Sequence, residues 1–262
     1  MFFKTFSNKF SAEGVAAILK KPLNRIIIIN MKNIALTLFI LLIAVTSASA
    51  DEAFFPARSG TVLLTANLNA NGRIEGYNRM TVREIRGSGG NLTAVYTIQV
   101  LDRNRRPVRN SAERQYTINI TNGVSMYRLD DIMDAFFLTR GFDYTMTAGN
   151  MPIPSNLAPG TRLQNTWLKI NVSVPIIGTV TADTSITNLV CAGIETITVR
   201  AGTFEAYKIT QRSTTITTGW ASPQITNTGA TWYVRGIGVV KSVSYDDKGK
   251  IESSSELYEL IN

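Results

Sequence analysis

Residues 168–174 read LKINVSV, and this stretch decides the fold class. Its apolar residues alternate with polar ones, so in an extended chain all the apolar side chains point to one face. Residues 62–68 and 116–121 repeat this alternation. Such period-two patterning, together with frequent use of Thr, is typical of strands that bury one face of a sheet and leave the other in water.

Short turn signals fall between the alternating stretches. Asn69–Gly72, Gly87–Asn91 and Asp246–Gly249 are rich in Gly, Asn and Asp, the residues that tight hairpin turns require. Many strands joined by short turns indicate an antiparallel sheet and not βαβ units. We therefore predict an all-β, mainly antiparallel fold.

One segment breaks the alternation. In residues 129–137, LDDIMDAFF, apolar residues recur at 129, 132, 133, 136 and 137, which is one face of a helix. Asp130 and Asp131 suit the positive end of the helix dipole, Arg140 suits the other end, and Gly141 is a natural stop. A lone helix must bury such a face. We therefore expect a strongly curved sheet or half-barrel packed around one short amphipathic helix.

Proline and glycine mark two further places. Three prolines within Met151–Gly160 exclude a central strand, and we predict a crossing loop between two halves of the sheet. Gly236 and Gly238 interrupt an otherwise good strand and predict a bulge or sharp bend. Ala201-Gly202 predicts a tight turn, after which Phe204 is expected to enter the core.

The N-terminal part has the layout of a secretory signal peptide that begins at Met31. Lys32 precedes an apolar run of twelve residues, Ile34–Val45, and Ala48 and Ala50 occupy the positions before a cleavage site. The apolar run is too short to span a bilayer. We predict that residues 1–30 are a non-native extension, 31–50 the signal peptide and 51–262 a single β-rich domain. A long, translated n-region is the alternative for residues 1–30.

Cleavage after Ala50 changes the charge. Of the 27 Lys and Arg residues, six lie in the removed part, as does one of the 19 Asp and Glu residues, so the mature chain carries about +3 and not +8. The high pI therefore gives no reason to expect nucleic-acid binding. We predict a periplasmic or secreted protein without a transmembrane span in its mature chain. Because no Cys directly follows Ala50, lipid attachment at a mature N-terminal Cys is not expected.

The C-terminal half resembles a known family. The resemblance rests on four stretches: Pro154–Gly160, Val199–Ile209, Trp232–Ser242 and Tyr245–Leu260. These are similar to the exported bacterial proteins called the domain-of-unknown-function 3108-like, or TapB-like, family. The resemblance is strongest over residues 150–260. It implies a curved antiparallel sheet, akin to the half-barrels of lipoprotein carriers, and no assigned activity.

The residues of ordinary enzyme chemistry are largely missing. The chain has no His and a single Cys, Cys191, which excludes the common zinc sites and the Ser-His and Cys-His pairs. Cys191 lies in an apolar stretch and is expected to be a buried, inert thiol. Asp130, Asp131 and Asp134 are expected to lie on a solvated helix face, and Glu195 and Glu205 on the surface. We predict no catalytic, cofactor-binding or metal-binding residues, and no enzyme.

Three groups of basic or aromatic residues each allow two interpretations. Residues 103–109 hold four arginines, either on a solvated hairpin tip or in contact with anionic lipid or polysaccharide. Lys241 either reaches solvent at a sheet edge or points inward and anchors an acidic headgroup. Three tryptophans are candidates to line a cavity or to fill the core: Trp167, Trp220 and Trp232.

These expectations favour a binding or carrier module of the cell envelope, whose groove takes a hydrophobic or lipid-like ligand. The alternative is a structural or assembly protein that acts through its surface or a sheet edge and has no ligand cavity. The expected partners are accordingly a hydrophobic small molecule or lipid, or another envelope protein.

The predicted signal peptide, residues 31–50, generates a first testable prediction. N-terminal sequencing of the exported protein should begin at Asp51, and sequencing of the precursor should begin at Met31, because residues 31–50 hold all three parts of the signal. A precursor that starts upstream of Met31 would contradict the assignment of residues 1–30.

Overall fold

A computed structural model describes residues 53–108, 113–138, 143–174, 176, 178–219 and 223–262. The predictions for residues 1–30 and 31–50 lie outside this range and stay predictions. Four of the residues considered in the sequence lie outside it as well: Arg109, Arg140, Gly141 and Trp220.

Thirteen strands and one helix make up the described part of the chain. The helix is α1, Leu129–Leu138. The strands are β1 (Val62–Asn69), β2 (Ile74–Ser88), β3 (Asn91–Asp102), β4 (Arg114–Thr121), β5 (Val124–Arg128), β6 (Asp143–Ala148), β7 (Asn150–Pro154), β8 (Thr166–Val174), β9 (Gly178–Val199), β10 (Gly202–Thr218), β11 (Gln224–Val234), β12 (Gly238–Tyr245) and β13 (Ile251–Ile261).

All thirteen strands form one antiparallel sheet in the order β6-β8-β9-β10-β11-β12-β13-β1-β2-β3-β4-β5-β7. The three predicted hairpin turns are confirmed, since they join β1 to β2, β2 to β3 and β12 to β13. The first and last strands, β1 and β13, are neighbours in the middle of the sheet. The all-β, antiparallel fold class is therefore confirmed.

A single residue, Gly149, forces the sheet to curl. It lies between β6 and β7, which are the two opposite ends of the strand order. Thirteen flat strands would hold these ends roughly 60 Å apart, whereas three consecutive Cα atoms reach at most about 7 Å. The sheet is consequently nearly closed into a barrel. Residues 143–154 form its seam, because β6 pairs with β8 and β7 pairs with β5.

Helix α1 lies at this seam. It packs against β6 and β3, which belong to opposite halves of the strand order. Leu129 and Met133, from the predicted apolar face, are fully buried. The prediction of a curved sheet packed around one short amphipathic helix is therefore confirmed.

The proline-rich stretch differs from its prediction. Residues 150–154 form the edge strand β7 and not a crossing loop. Pro152 and Pro154 are tolerated there because an edge strand pairs on one side only, so a missing N–H on the other side breaks no ladder. The loop proper begins at Ser155 and runs along β9, where Gly160 and Leu163 donate backbone hydrogen bonds to the carbonyls of Cys191 and Leu189.

Two predictions for the glycine-containing motifs of the C-terminal half are also wrong. Gly236 and Gly238 lie at the turn between β11 and β12, both with positive φ, so they close a hairpin and do not bend a strand. The turn at Gly202 is confirmed. Phe204 is only half-buried, because its ring packs back over Gly202 at the turn and does not enter the core.

No helix in the described ranges combines the length and apolar character needed to cross a membrane.

The seam yields a stability prediction. A Cβ at Gly149 would lie 2.7 Å from Thr166 Oγ1 and 3.2 Å from Trp167 Nε1. Gly149→Ala should therefore lower the free energy of unfolding by about 1–3 kcal/mol, measured by urea denaturation. Gly193→Ala is the matched control, because its Cβ meets nothing within 4 Å. Equal stability of the two variants would contradict a tightly packed seam.

Candidate functional site

Phe54 and Phe55 identify the concave face of the sheet. Phe54 stacks edge-on against Tyr207 of β10, with ring centres 5.1 Å apart, while Phe55 lies 5.5 Å from Tyr96 of β3. These strands are six positions apart in the sheet order. Only the inside of a curled sheet lets adjacent residues contact both, so the face that carries these tyrosines is the concave one.

The Ala53–Pro56 segment belongs to no strand, yet it is firmly held. Phe54 and Phe55 are 0% and 1% exposed. The hydroxyl of Tyr127 on β5 donates to the Phe54 carbonyl, and the N–H of Gly236 donates to the Ala53 carbonyl. Burial raises the pKa of Tyr127 well above its ordinary value, so this hydroxyl stays a donor.

A cation completes the aromatic cluster. The Arg235 guanidinium lies 5.3 Å from the centre of the Phe54 ring and 5.1 Å from that of Tyr207, within the range of cation–π attraction. Its Nε also donates to the Tyr207 hydroxyl at 3.0 Å. We call Phe54, Phe55, Tyr96, Tyr127, Tyr207 and Tyr233 the aromatic zone of the concave face.

A second zone of the concave face is lined by small polar side chains. Thr184 and Thr215 share a hydrogen bond of 2.9 Å, and Ser242 and Ser255 share one of 2.8 Å. Other buried hydroxyls have no hydrogen-bond partner among the described residues: Thr65, Ser213, Thr217, Ser244 and Ser253. Buried polar groups are seldom left unpaired, so this hydroxyl zone fits water or the polar part of a ligand.

The acidic residues of α1 differ from their prediction as a solvated face. Asp134 accepts hydrogen bonds from Tyr116 of β4 at 3.2 Å and from Tyr144 of β6 at 2.5 Å. Arg114 of β4 lies 3.6 Å from the same carboxylate. Asp134 therefore joins the two halves of the sheet across the seam, and desolvation together with its charge raises the pKa of Tyr116 and Tyr144.

Asp130 and Asp131 both pair with Arg128 and have opposite pKa shifts. The pKa of Asp131 is raised to about 6, because the effect of burial outweighs the opposing effect of the Arg128 charge 3.4 Å away. Burial also acts to raise the pKa of Asp130. There, however, the hydrogen bond and charge of Arg128 and the nearby backbone N–H groups outweigh it, and the pKa is lowered.

The arginine-rich loop is partly structural. Arg105 folds back over Tyr77 and Tyr258, with its guanidinium 5.4 Å and 4.8 Å from the ring centres, and pairs with Glu259 at 2.7 Å. It covers a small apolar cluster on the convex face. Arg103 and Arg106 are exposed, as a hairpin tip requires. The structure thus gives Arg105 a packing role that the sequence did not suggest.

Lys241 lies on the convex face and does not point inward. It pairs across the strands with Trp232, and its ammonium lies 5.5 Å from the centre of that indole ring. Trp232 is buried, and its Nε1 donates to Glu195. Glu195 is exposed on the surface, as expected, but it also accepts a hydrogen bond from a buried tryptophan.

The remaining candidates have simple environments. Trp167 is 49% exposed on β8 and lines no interior. Glu205 is exposed. Cys191 is fully buried, and burial raises the pKa of its thiol, in agreement with an inert cysteine. Within the described ranges, no three acidic or thiol side chains are grouped so that they could hold a metal ion.

Phe54 and Phe55 were missed by the sequence reasoning. They follow closely after the predicted cleavage site and belong to no alternating run, so no period-two signal marks them. The available clue was composition: two adjacent aromatic residues before Pro56, outside any strand, need to be buried somewhere.

Comparison with known proteins agrees with this fold. The family model described as DUF3108-like matches residues 58–257. A crystal structure from Bacteroides fragilis, described as an exported protein with a YmcC-like fold, has a TM-score of 0.66 at 19% identity and covers 80% of this chain and 100% of its own.

A second solved structure is equally similar. A protein from Parabacteroides distasonis, described as a lipoprotein, has a TM-score of 0.66 at 19% identity and covers 80% of this chain and 99% of its own. No curated protein sequence matches the chain. At this level of identity, the two structures show the fold alone.

Neutralising the two carboxylates that pair with Arg128 should change the free energy of unfolding in opposite directions. The native state of Asp131 keeps its proton between about pH 4 and 6 while the unfolded state loses it, so this group lowers stability as pH rises. Asp131→Asn should therefore gain about 1–2 kcal/mol relative to wild type between about pH 4 and pH 7, measured by urea denaturation.

Asp130→Asn is the matched control. Because the native pKa of Asp130 is lowered, the stability that it contributes is fully present above about pH 4 and is lost as pH falls below that value, so the variant should be less stable than wild type by a constant amount between about pH 4 and pH 7. An Asp131→Asn gain that does not grow between about pH 4 and pH 7, or an Asp130→Asn variant that is at least as stable as wild type there, would refute the opposite environments of these neighbouring carboxylates.

Proposed function

Because this chain belongs to the DUF3108-like family, we propose that it is an exported cell-envelope protein that binds a lipid-like, amphipathic ligand on the concave face of its sheet. The relatives described as an exported protein and a lipoprotein support the envelope location. We propose binding, and not catalysis, as its role.

One observation carries the proposal. Two members of the aromatic zone, Phe54 and Phe55, belong to no strand, and yet they pack against the concave face of the sheet. A sheet that fills its own interior uses the side chains of its strands. Here a short separate segment supplies two of the largest buried side chains instead. Such a segment can be displaced by an apolar chain without breaking any strand pairing.

The chemistry of the concave face supports an amphipathic ligand over a purely apolar one. The aromatic zone suits hydrocarbon, whereas the hydroxyls of Ser213, Ser244 and Ser253, which have no partner among the described residues, suit a polar group. Binding sites for small molecules typically combine an apolar lining with a few placed polar groups. The two zones together provide this combination on one surface.

The alternative, a structural protein that acts through a sheet edge, has less support. The edge strands β6 and β7 are only six and five residues long. β7 carries two prolines, and β6 packs against α1. Short, covered and proline-bearing edges oppose the addition of a partner strand.

The proposal predicts that weakening the Phe54 segment strengthens ligand binding. A fluorescent fatty-acid analogue should bind the purified protein, and Phe54→Leu should bind it several-fold more tightly, because the displaced side chain gives up less stacking and apolar contact. Phe54→Ala should go further, at a cost of about 3–5 kcal/mol in stability. Fluorescence titration measures the affinities, and native mass spectrometry after gentle purification tests for a bound lipid.

Ile216→Ala is the control, because Ile216 is a 47% exposed apolar residue on the convex face. It should leave the affinity for the fatty-acid analogue unchanged. Failure of both the wild type and Phe54→Leu to bind the analogue would refute the proposal. Equal changes in Phe54→Leu and Ile216→Ala would also refute it, since they would place the analogue on the outer surface.

A further inference from the structure

The convex face carries a second feature, a groove of about 450 Å³ across β9, β10, β11 and β12. Its volume is within the range of small-molecule sites. Most of its lining residues are polar or basic, although the surface that they present to the groove is more apolar than polar, and the groove faces away from the aromatic zone. Five of the lining residues determine its chemistry: Asn188, Lys208, Thr210, Arg212 and Tyr245.

The strand register explains the shape of the groove. Three rows of cross-strand neighbours lie on this face: Lys208 beside Trp232, Thr210 beside Ala230, and Arg212 beside Thr228. The middle row has the smallest side chains and forms the floor. The outer rows form two banks, each with a long basic side chain. Because Lys208 and Arg212 are four residues apart on one strand, the banks are separated by about 13 Å.

An irregularity in β9 shapes the end of the groove. The register between β9 and β10 shifts between Thr210 and Arg212, and Asn188 adopts a positive φ of 55° there. β-Bulges of this kind re-aim side chains and are common beside binding sites. The bulge places Asn188 on the lining next to Arg212, so an amide and a guanidinium lie together at this bank.

The two banks differ in how their charge is balanced. At one bank, the Lys208 ammonium lies 3.5 Å from Glu195 and 5.0 Å from the centre of the Trp232 ring. At the other bank, Arg212 is exposed and has no carboxylate within ion-pair distance in the described part of the chain. Asp246, which follows Tyr245, instead accepts hydrogen bonds from the backbone N–H groups of Lys248 and Lys250.

We propose that this groove is a binding site for a small polar molecule, or a headgroup, that carries a phosphate. The oxyanion is held by the guanidinium of Arg212, whose fork of N–H donors matches two oxygens at once. Asn188 and Thr210 offer further hydrogen bonds to the body of the ligand, and Tyr245 offers a flat apolar surface. Lys208 sets the charge of the far bank.

A nucleic acid is a poorer fit to the same groove. It would need a track of several cations that follow a phosphate backbone. Among the described residues, this groove instead offers one guanidinium without a carboxylate partner and a lysine already paired with Glu195. The proposal therefore concerns a single oxyanion group. Two sources can supply it: a soluble sugar or glycerol phosphate, or an anionic lipid headgroup at a membrane surface.

Two probes separate these sources. Glycerol 3-phosphate, titrated by calorimetry, tests the soluble source, and vesicles of phosphatidylcholine with added phosphatidylglycerol, assayed by co-sedimentation, test the headgroup. Whichever probe binds, Arg212→Gln should weaken its binding at least about tenfold, and Arg212→Lys should weaken it less, because the charge remains while the fork is lost. Binding of either probe with this order of variants supports the groove.

Arg73→Gln is the matched control, since it removes one exposed positive charge at the β1–β2 turn, far from the groove in the strand order. It should leave the affinity for either probe unchanged. Failure of the wild type to bind both probes would overturn the proposal, as would equal losses for Arg212→Gln and Arg73→Gln. Neither result bears on the concave face, which the fatty-acid analogue tests separately.

Discussion

The structure depends on one covalent constraint, the single glycine that joins the two end strands of a thirteen-stranded sheet. Because Gly149 leaves no room for a flat arrangement, the sheet must curl until β6 and β7 meet. Curling creates the concave face, and it also creates a seam where β6 has a strand neighbour on one side only. Helix α1 fills this place, and Asp134 ties it to tyrosines on both sides of the seam.

The two faces of the curled sheet have different chemistry. The concave face divides into an aromatic zone, filled by Phe54 and Phe55, and a zone of small hydroxyl side chains. The convex face carries exposed charges, and its groove has one cation, Arg212, without an acidic partner among the described residues. The two proposed ligands, one lipid-like and one anionic, therefore belong to opposite faces, so in this proposal a molecule bound on one side leaves the other accessible.

The parts of the fold that depend on local patterns were predictable from the sequence. Period-two alternation in residues 168–174 and the turn at Asn69–Gly72 specify strands and hairpins without long-range information. The prediction of a loop at residues 150–154 is wrong, because a proline-bearing edge strand differs from a loop only in its partner, β5, which is set by tertiary structure. For the same reason, no local pattern indicates that Phe54 enters the curl or that Arg212 lies on a groove, since both depend on strand order.

A distance across the seam tests the curl most directly. Spin labels at Lys169 on β8 and Thr117 on β4, both exposed, are nine strand positions apart along the sheet, and Cys191 is buried and shielded from labelling. Electron spin resonance should find the labels about 20 Å apart, because the path through the seam is only four strand positions of about 4.8 Å each. A separation beyond about 40 Å, as expected of an open and flat sheet, would contradict the curled structure.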